Sequence, residues 1–258
     1  MTEKPFYKIS MKASSCFFDV QINNVSLFSM NVKGQLPITL PLNYLILESG
    51  LQDLSVKIMP NIGDTTINEE ADFLLQLQLF DSENMIQCIK NVASYEIDKG
   101  KLKVGIPVLE QKIKFNAEMP YKLSAWQNSV DLKAISNVRE QVQNLFQKID
   151  LLISSKRYDE IIKLMSEREK NMAISMYLTE GESKSRMEGL IQDFKDGFNL
   201  MPLSIDDFLI YYADGKVAKI AKKDLGSAIR FFNKKTGEEM TLSFLFHIKQ
   251  DNNELSII

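Results

Sequence analysis

The chain has 258 residues, 45% hydrophobic and 25% charged, with a net charge of −3: the proportions of a soluble globular protein long enough for one large domain or two of ordinary size. The charge divides evenly, 14 acids against 12 bases in residues 1–127 and 20 against 19 in residues 128–258, so neither half has the basic excess that nucleic-acid binding requires. No stretch reaches the ~18 apolar residues of a membrane span. MTEKPFYKIS lacks the apolar centre of a signal peptide, so the expected location is the cytoplasm, or the periplasm if a leader was removed.

Residues 6–32 give three strand-like runs, Phe6–Met11, Cys16–Ile22 and Val25–Val32, with a hairpin signal at Asn23-Asn24 because asparagine tolerates positive φ. Gly34, Pro37 and Pro41 then predict irregular backbone. Leu42–Glu48 fits either a helical turn closed by Gly50 or a buried strand. Leu51–Met59, Phe73–Phe80, Met85–Tyr95 and Leu109–Ala117 read as further strands, three of them alternating clearly. Short strands at roughly ten-residue spacing with no helical pattern between them predict an antiparallel β-sandwich over 1–127.

Residues 42–60, LNYLILESGLQDLSVKIMP, resemble the segment of galactose-binding-like jelly rolls in which a leucine, a glycine turn and an alternating strand follow one another. The resemblance covers about twenty residues and implies a sandwich fold, with no ligand residue carried over.

From residue 128 the period changes. Leu132, Ile135, Val138, Val142, Leu145, Phe146, Ile149, Leu152 and Ile153 keep helical spacing, and Asn128, Ser129 and Asp131 supply capping groups, so a helix is predicted over 128–153. Tyr158, Ile161, Ile162 and Met165 define a second helix. Ser166 with Glu169 reads as a capping box for a third that buries Met172, Ala173, Met176 and Tyr177 and ends at Gly181. Met187, Leu190, Ile191, Phe194 and Phe198 mark a fourth. A meander follows: Phe208–Ala213, a turn at Asp214-Gly215, Lys216–Ala221, Ser227–Asn233, a turn at 235–237, Met240–Lys249 and Leu255–Ile258. The expectation is an α+β fold, with a helical layer on an antiparallel meander over 128–258. That order is similar to the NTF2-like group, cone-shaped folds in which helices cover a curved sheet, and the likeness implies fold alone.

Chemistry is sparse. His247 is the one histidine and reads as a surface or sheet-face residue, and the sequence nominates no nucleophile or acid to work with it. Cys16 and Cys88 lie in apolar strand-like runs and read as free core thiols. No dinucleotide, phosphate-loop, nucleophile-elbow or zinc-protease motif occurs, and no cofactor is expected. Asp64, Asn68, Glu69, Glu70 and Asp72 crowd one loop without the order of a calcium loop, so no metal is expected either. Lys216, Lys219, Lys222 and Lys223, with Arg230, Lys234 and Lys235, read as a lysine-protected sheet edge.

By exclusion, the expectation is a non-enzymatic protein that binds a protein partner through its surface, most specifically an immunity or inhibitor protein neutralising a bacterial toxin. The rivals are a small-ligand pocket, open to catalysis, lined by Tyr177, Phe194, Phe208 and Tyr211, and a secretion-system or cell-envelope component with a carbohydrate-binding-like sandwich. All five arginines lie after residue 128, and interfaces favour arginine, methionine and aromatics at their centres. Arg168, Tyr177 and Arg186 are therefore the expected partner-binding residues.

Overall fold

The structure, a computed structural model, describes residues 3–103, 105–251 and 254–258. The fold is mixed α+β with antiparallel sheets, and the chain forms two compact units: Met1–Leu123 with Ser175–Tyr177, and Ser124–Ile174 with Leu178–Ile258. Among the described residues no helix is long and apolar enough to cross a membrane.

The first unit is built on one long strand pair, β1 (Pro5–Ile22) and β2 (Val25–Pro41). In β1 the alternating buried residues include Tyr7, Ile9, Met11 and Ala13, then Cys16, Phe18, Val20 and Ile22, so the alternation changes phase midway. The cause is a bulge: Ser15 takes a φ of 50° and the register with β2 shifts between Ser14 and Cys16. Here one residue of β1, Ser15, stands against two of β2 and its left-handed backbone bends the strand, so both halves of β1 bury their apolar side.

On its other edge β1 pairs first with β4 (Asp72–Asp81) and beyond the bulge with β3 (Gly50–Met59). Adding β5 (Lys90–Glu96) and β6 (Leu109–Ala117) gives the order β5-β4-β1-β3-β6, with β2 also on β1. The sandwich is thus a single sheet folded on itself and nearly closed. Phe18 meets Phe73 at 5.0 Å between ring centres, and Tyr7 meets Phe115 at 6.0 Å.

The irregular backbone expected around Gly34, Pro37 and Pro41 is instead the second half of β2, paired residue by residue as far as Lys8–Pro41. Lys33 and Gly34 sit opposite the Ser15 bulge. The prolines are tolerated because β2 has a neighbour on one side only, where a missing N–H need not cost a ladder bond. Residues 42–48 hold a 3-10 turn at Asn43–Leu45, and a four-residue helix, α1 (Lys99–Leu102), precedes β6.

In the second unit the predicted apolar stripe is buried, but α2 runs over Val138–Ser154 and starts ten residues late. The expected capping residues are engaged elsewhere. Ser129 bridges to Lys249, the Val130 N–H donates to the Ile248 carbonyl, and the Asp131 side chain caps a separate 3-10 turn at Leu132–Ala134. Then come α3 (Tyr158–Leu164), α4 (Ser166–Ser175) and α5 (Glu180–Asp196). Gly181 lies inside α5 rather than ending α4.

The strands that follow divide between two sheets. β7 (Phe198–Leu200), β10 (Arg230–Asn233) and β11 (Glu239–Thr241) form one in the order β11-β10-β7. β8 (Phe208–Tyr212), β9 (Val217–Ala221), β12 (Phe246–Ile248) and β13 (Leu255–Ile257) form the other in the order β13-β12-β9-β8. The predicted run Met240–Lys249 is broken at residues 242–245, where Leu242 N–H donates to Ile229 instead. The core joins α2, Met187, Ile191 and Phe194 of α5, and Ala218, Ile220, Phe231, Phe244 and Phe246.

Candidate protein-binding groove

Helices α3, α4 and α5 border an open concavity of the second unit. α3 and α4 are separated only by Met165, whose φ of −94° and ψ of 0° break the helix. α5 opens with a capping box: the Thr179 hydroxyl accepts from the Glu182 N–H, and the Glu182 carboxylate accepts from the Thr179 N–H at 2.8 Å. The bond from the Thr179 N–H, and a second from the Thr179 hydroxyl, lower the Glu182 carboxyl pKa. The box expected at Ser166 and Glu169 is not made that way, because Glu169 is bound to arginines. Gly197, at φ 111°, closes α5 in the left-handed conformation that glycine adopts without strain.

Between α3–α4 and α5 runs an open groove of about 940 Å³. Ile162, Ala173, Leu178, Met187 and Ile191 make its apolar floor. Lys170, Lys184 and Glu188 stand among its polar lining, with Lys184 and Glu188 paired at 3.7 Å. The groove follows α5 from Glu180 to Lys195, about 22 Å at the rise of a helix.

Two of the three expected partner residues meet at its wall. Arg168 donates to Glu169, a groove residue, and Arg186 reaches the same carboxylate from α5, with Nη2 at 3.1 Å. Glu169 is buried, Arg168 nearly so and also over the Phe244 ring at 5.8 Å, whereas the Arg186 side chain is 45% exposed. The cluster ties α4 to α5 and leaves Arg186 facing solvent. Tyr177 goes elsewhere. It belongs to the first unit, at a φ of 55°, with its hydroxyl donating to the Pro5 carbonyl and its ring 5.9 Å from Tyr121. Burial raises the Tyr177 and Tyr121 hydroxyl pKa values.

His247 is fully buried, contrary to the sheet-face reading. Nδ1 lies 2.8 Å from the Ser129 hydroxyl, and Nε2 lies 3.5 Å from a Glu167 carboxylate oxygen without a hydrogen bond. That oxygen is also bound by Lys249 at 2.8 Å. Burial lowers the His247 pKa, Glu167 opposes the shift, and Lys249 adds to it. Serine, histidine and glutamate therefore stand in a row, but Ser129 is 3% exposed and His247 0%, so no substrate atom reaches them in this conformation. The row pins the chain entering this unit onto β12 and α4.

The residues of the expected small-ligand pocket are not gathered together: Phe194 stacks at 5.3 Å on Phe231, Phe208 is exposed, and Tyr177 lies in the first unit. The lysines are not one edge either, because β9 is an interior strand; Lys219 is buried and donates to the Leu225 carbonyl, and Lys216 donates to that of Gln127. Cys16 is buried as expected, whereas Cys88 is exposed in the turn before β5, and both are free. Among the described residues, no group of three or more His, Cys, Asp or Glu is placed to hold a metal ion. No family model, curated protein or solved structure matches the chain.

Sequence reasoning singled out Arg168 and Arg186 but missed the groove between their helices. The missed signal is Thr179-x-x-Glu182, which places the start of α5 and so the hairpin that forms one wall.

Proposed function

We propose that this chain is a non-enzymatic protein-binding module that seats an amphipathic helical segment of a protein partner in the groove beside α5. The groove is the observation that carries the reading: an apolar floor flanked by charged side chains and about 22 Å long suits a helix of roughly four turns. Arg186, half-exposed and paired with the groove residue Glu169, is an anchor of the kind interfaces use. In its most specific form the partner is a toxic protein and the chain its inhibitor, since a chain without a cofactor motif acts by covering surface.

The test is affinity capture from source cells with the full chain and with Ala173→Arg, which fills the groove floor. Capture of one protein by the wild type, lost with Ala173→Arg and kept with Lys112→Ala at an exposed position of β6 in the first unit, is the expected result. Arg186→Ala should weaken that binding by about 2 kcal/mol. Capture indifferent to Ala173→Arg, in a variant that folds, would overturn the reading.

A further inference from the structure

A separate feature of the second unit points to self-association. β8 is the outermost strand of its sheet, and its sequence, FLIYY, holds neither a charge nor a proline. The longer edge strands are blunted: β2 by Lys33, Pro37 and Pro41, β5 by Lys90 and Glu96, and β6 by Glu110, Lys112 and Lys114. Such residues are how proteins prevent unwanted strand addition. β8 lacks them, its Phe208 is 37% exposed, and Ile205, just before it, is 95% exposed.

The direction of its backbone groups follows from β9. The Ile220 carbonyl accepts from the Ala228 N–H at 3.1 Å, on the side of β9 away from β8. Ile220 faces Leu209 across the ladder, so this is a non-hydrogen-bonded pair and Leu209 directs its own N–H and C=O outward. Tyr211, two residues on, does the same, while Phe208, Ile210 and Tyr212 turn theirs to β9.

We propose that β8 pairs antiparallel with β8 of a second copy of this chain about a two-fold axis at Ile210, making one continuous sheet of the two. In that register Leu209 exchanges both backbone bonds with the second copy's Tyr211, and Tyr211 with its Leu209. Phe208 faces Tyr212, and Ile210 faces itself, with Cα atoms about 4.5 Å apart. Each cross-strand pair is apolar or aromatic, so no like charges meet within the paired window. Beyond it Asp206 would lie toward the second copy's Asp214, but Asp206 is already held by Lys223 at 3.3 Å. The window closes there. Arg139 takes the Asp207 carbonyl at 2.8 Å, and positive φ at Ala213 and Asp214 turns the chain away. A five-residue strip is smaller than the ~1,200 Å² of a stable interface, so the dimer forms at high concentration and dissociates on dilution.

Sedimentation of the full chain over a roughly hundredfold concentration range should show the average mass rising from 29.5 kDa toward twice that value. Ile210→Lys, which sets two ammonium groups against each other on the axis, and Phe208→Lys, at an exposed position, should each weaken association at least about tenfold. In a Cys88→Ser background, Ile210→Cys should form an intermolecular disulfide under mild oxidation and Phe208→Cys should not, because Phe208 faces Tyr212. A single-chain mass at every concentration would overturn the proposal, as would a dimer indifferent to Phe208→Lys or cross-linking as efficient from position 208 as from 210. An edge that instead takes an extended segment of another protein would give the first of these results.

Discussion

Replacing Asn43 by alanine should destabilise the first unit more than any surface change. Asn43 is fully buried in the 3-10 turn after β2. Its Oδ1 accepts from the Tyr7 N–H at 2.8 Å, and its Nδ2 donates to the carbonyls of Pro5 and Ser175, each at 3.0 Å. Alanine removes all three bonds. The Pro5 carbonyl keeps the Tyr177 hydroxyl at 2.9 Å, so two buried groups, the Tyr7 N–H and the Ser175 carbonyl, lose these partners. At about 1–3 kcal/mol for the buried Tyr7 N–H left unsatisfied, the expected loss is roughly 1–3 kcal/mol. Asn43→Asp should cost at least as much, because a carboxylate turned toward two carbonyls keeps only the bond from Tyr7.

The assay is urea unfolding of the full chain in a Cys88→Ser background, followed by exposure of the buried Cys16 thiol, which lies in the first unit, beside the fluorescence of Trp126. That tryptophan is the only one in the sequence and lies in the second unit, so it reports on the other unit. The midpoint for Cys16 exposure should fall in Asn43→Ala. A loss under about 1 kcal/mol would show that water replaces the amide and that the buried-group reasoning fails at this site.

Stability should also depend on pH through His247. Its folded pKa lies below the ordinary 6.5, so the unfolded chain binds the proton first and stability falls as pH drops through 6.5 toward the folded value. His247→Gln should flatten that slope, and urea midpoints at pH 7.5 and 5.0 compare the two; equal slopes would refute the assignment. Glu169→Ala should cost about 3 kcal/mol by thermal or urea unfolding, because it strips the nearly buried Arg168 of its carboxylate and removes the tie to Arg186. Native chain should release one equivalent of a chromogenic thiol reagent from exposed Cys88 and a second only on unfolding. The Cys16 thiol is buried and raised to about 11, both of which suppress thiolate.

Much of the fold was legible because hydrophobic period is a local property. The stripe from Val138 to Ile153, the alternation of Leu54, Val56 and Ile58, and that of Phe73, Leu75 and Leu77 all point inward as their spacing requires. So did the α+β order. Of the candidate site, Arg168 and Arg186 could be chosen by residue type, but Glu169, the carboxylate they share, read as a capping residue of its own helix.

What the tertiary structure decided depends on neighbours that no local window contains. Pro37 and Pro41 are compatible with a strand only because β2 has one neighbour, and edge position is invisible to spacing. Asn128, Ser129 and Asp131 looked like the start of a helix, yet the bridge from Ser129 to Lys249 draws the backbone into extended pairing, a competition that propensity alone cannot settle. His247 alternates with the residues of a sheet face, but Ser129, far earlier in the chain, and Glu167 close over both ring nitrogens. Local periodicity sets which side of an element is apolar. Which element then covers it, and which polar groups are sealed beneath, is fixed by pairings between residues far apart in the chain.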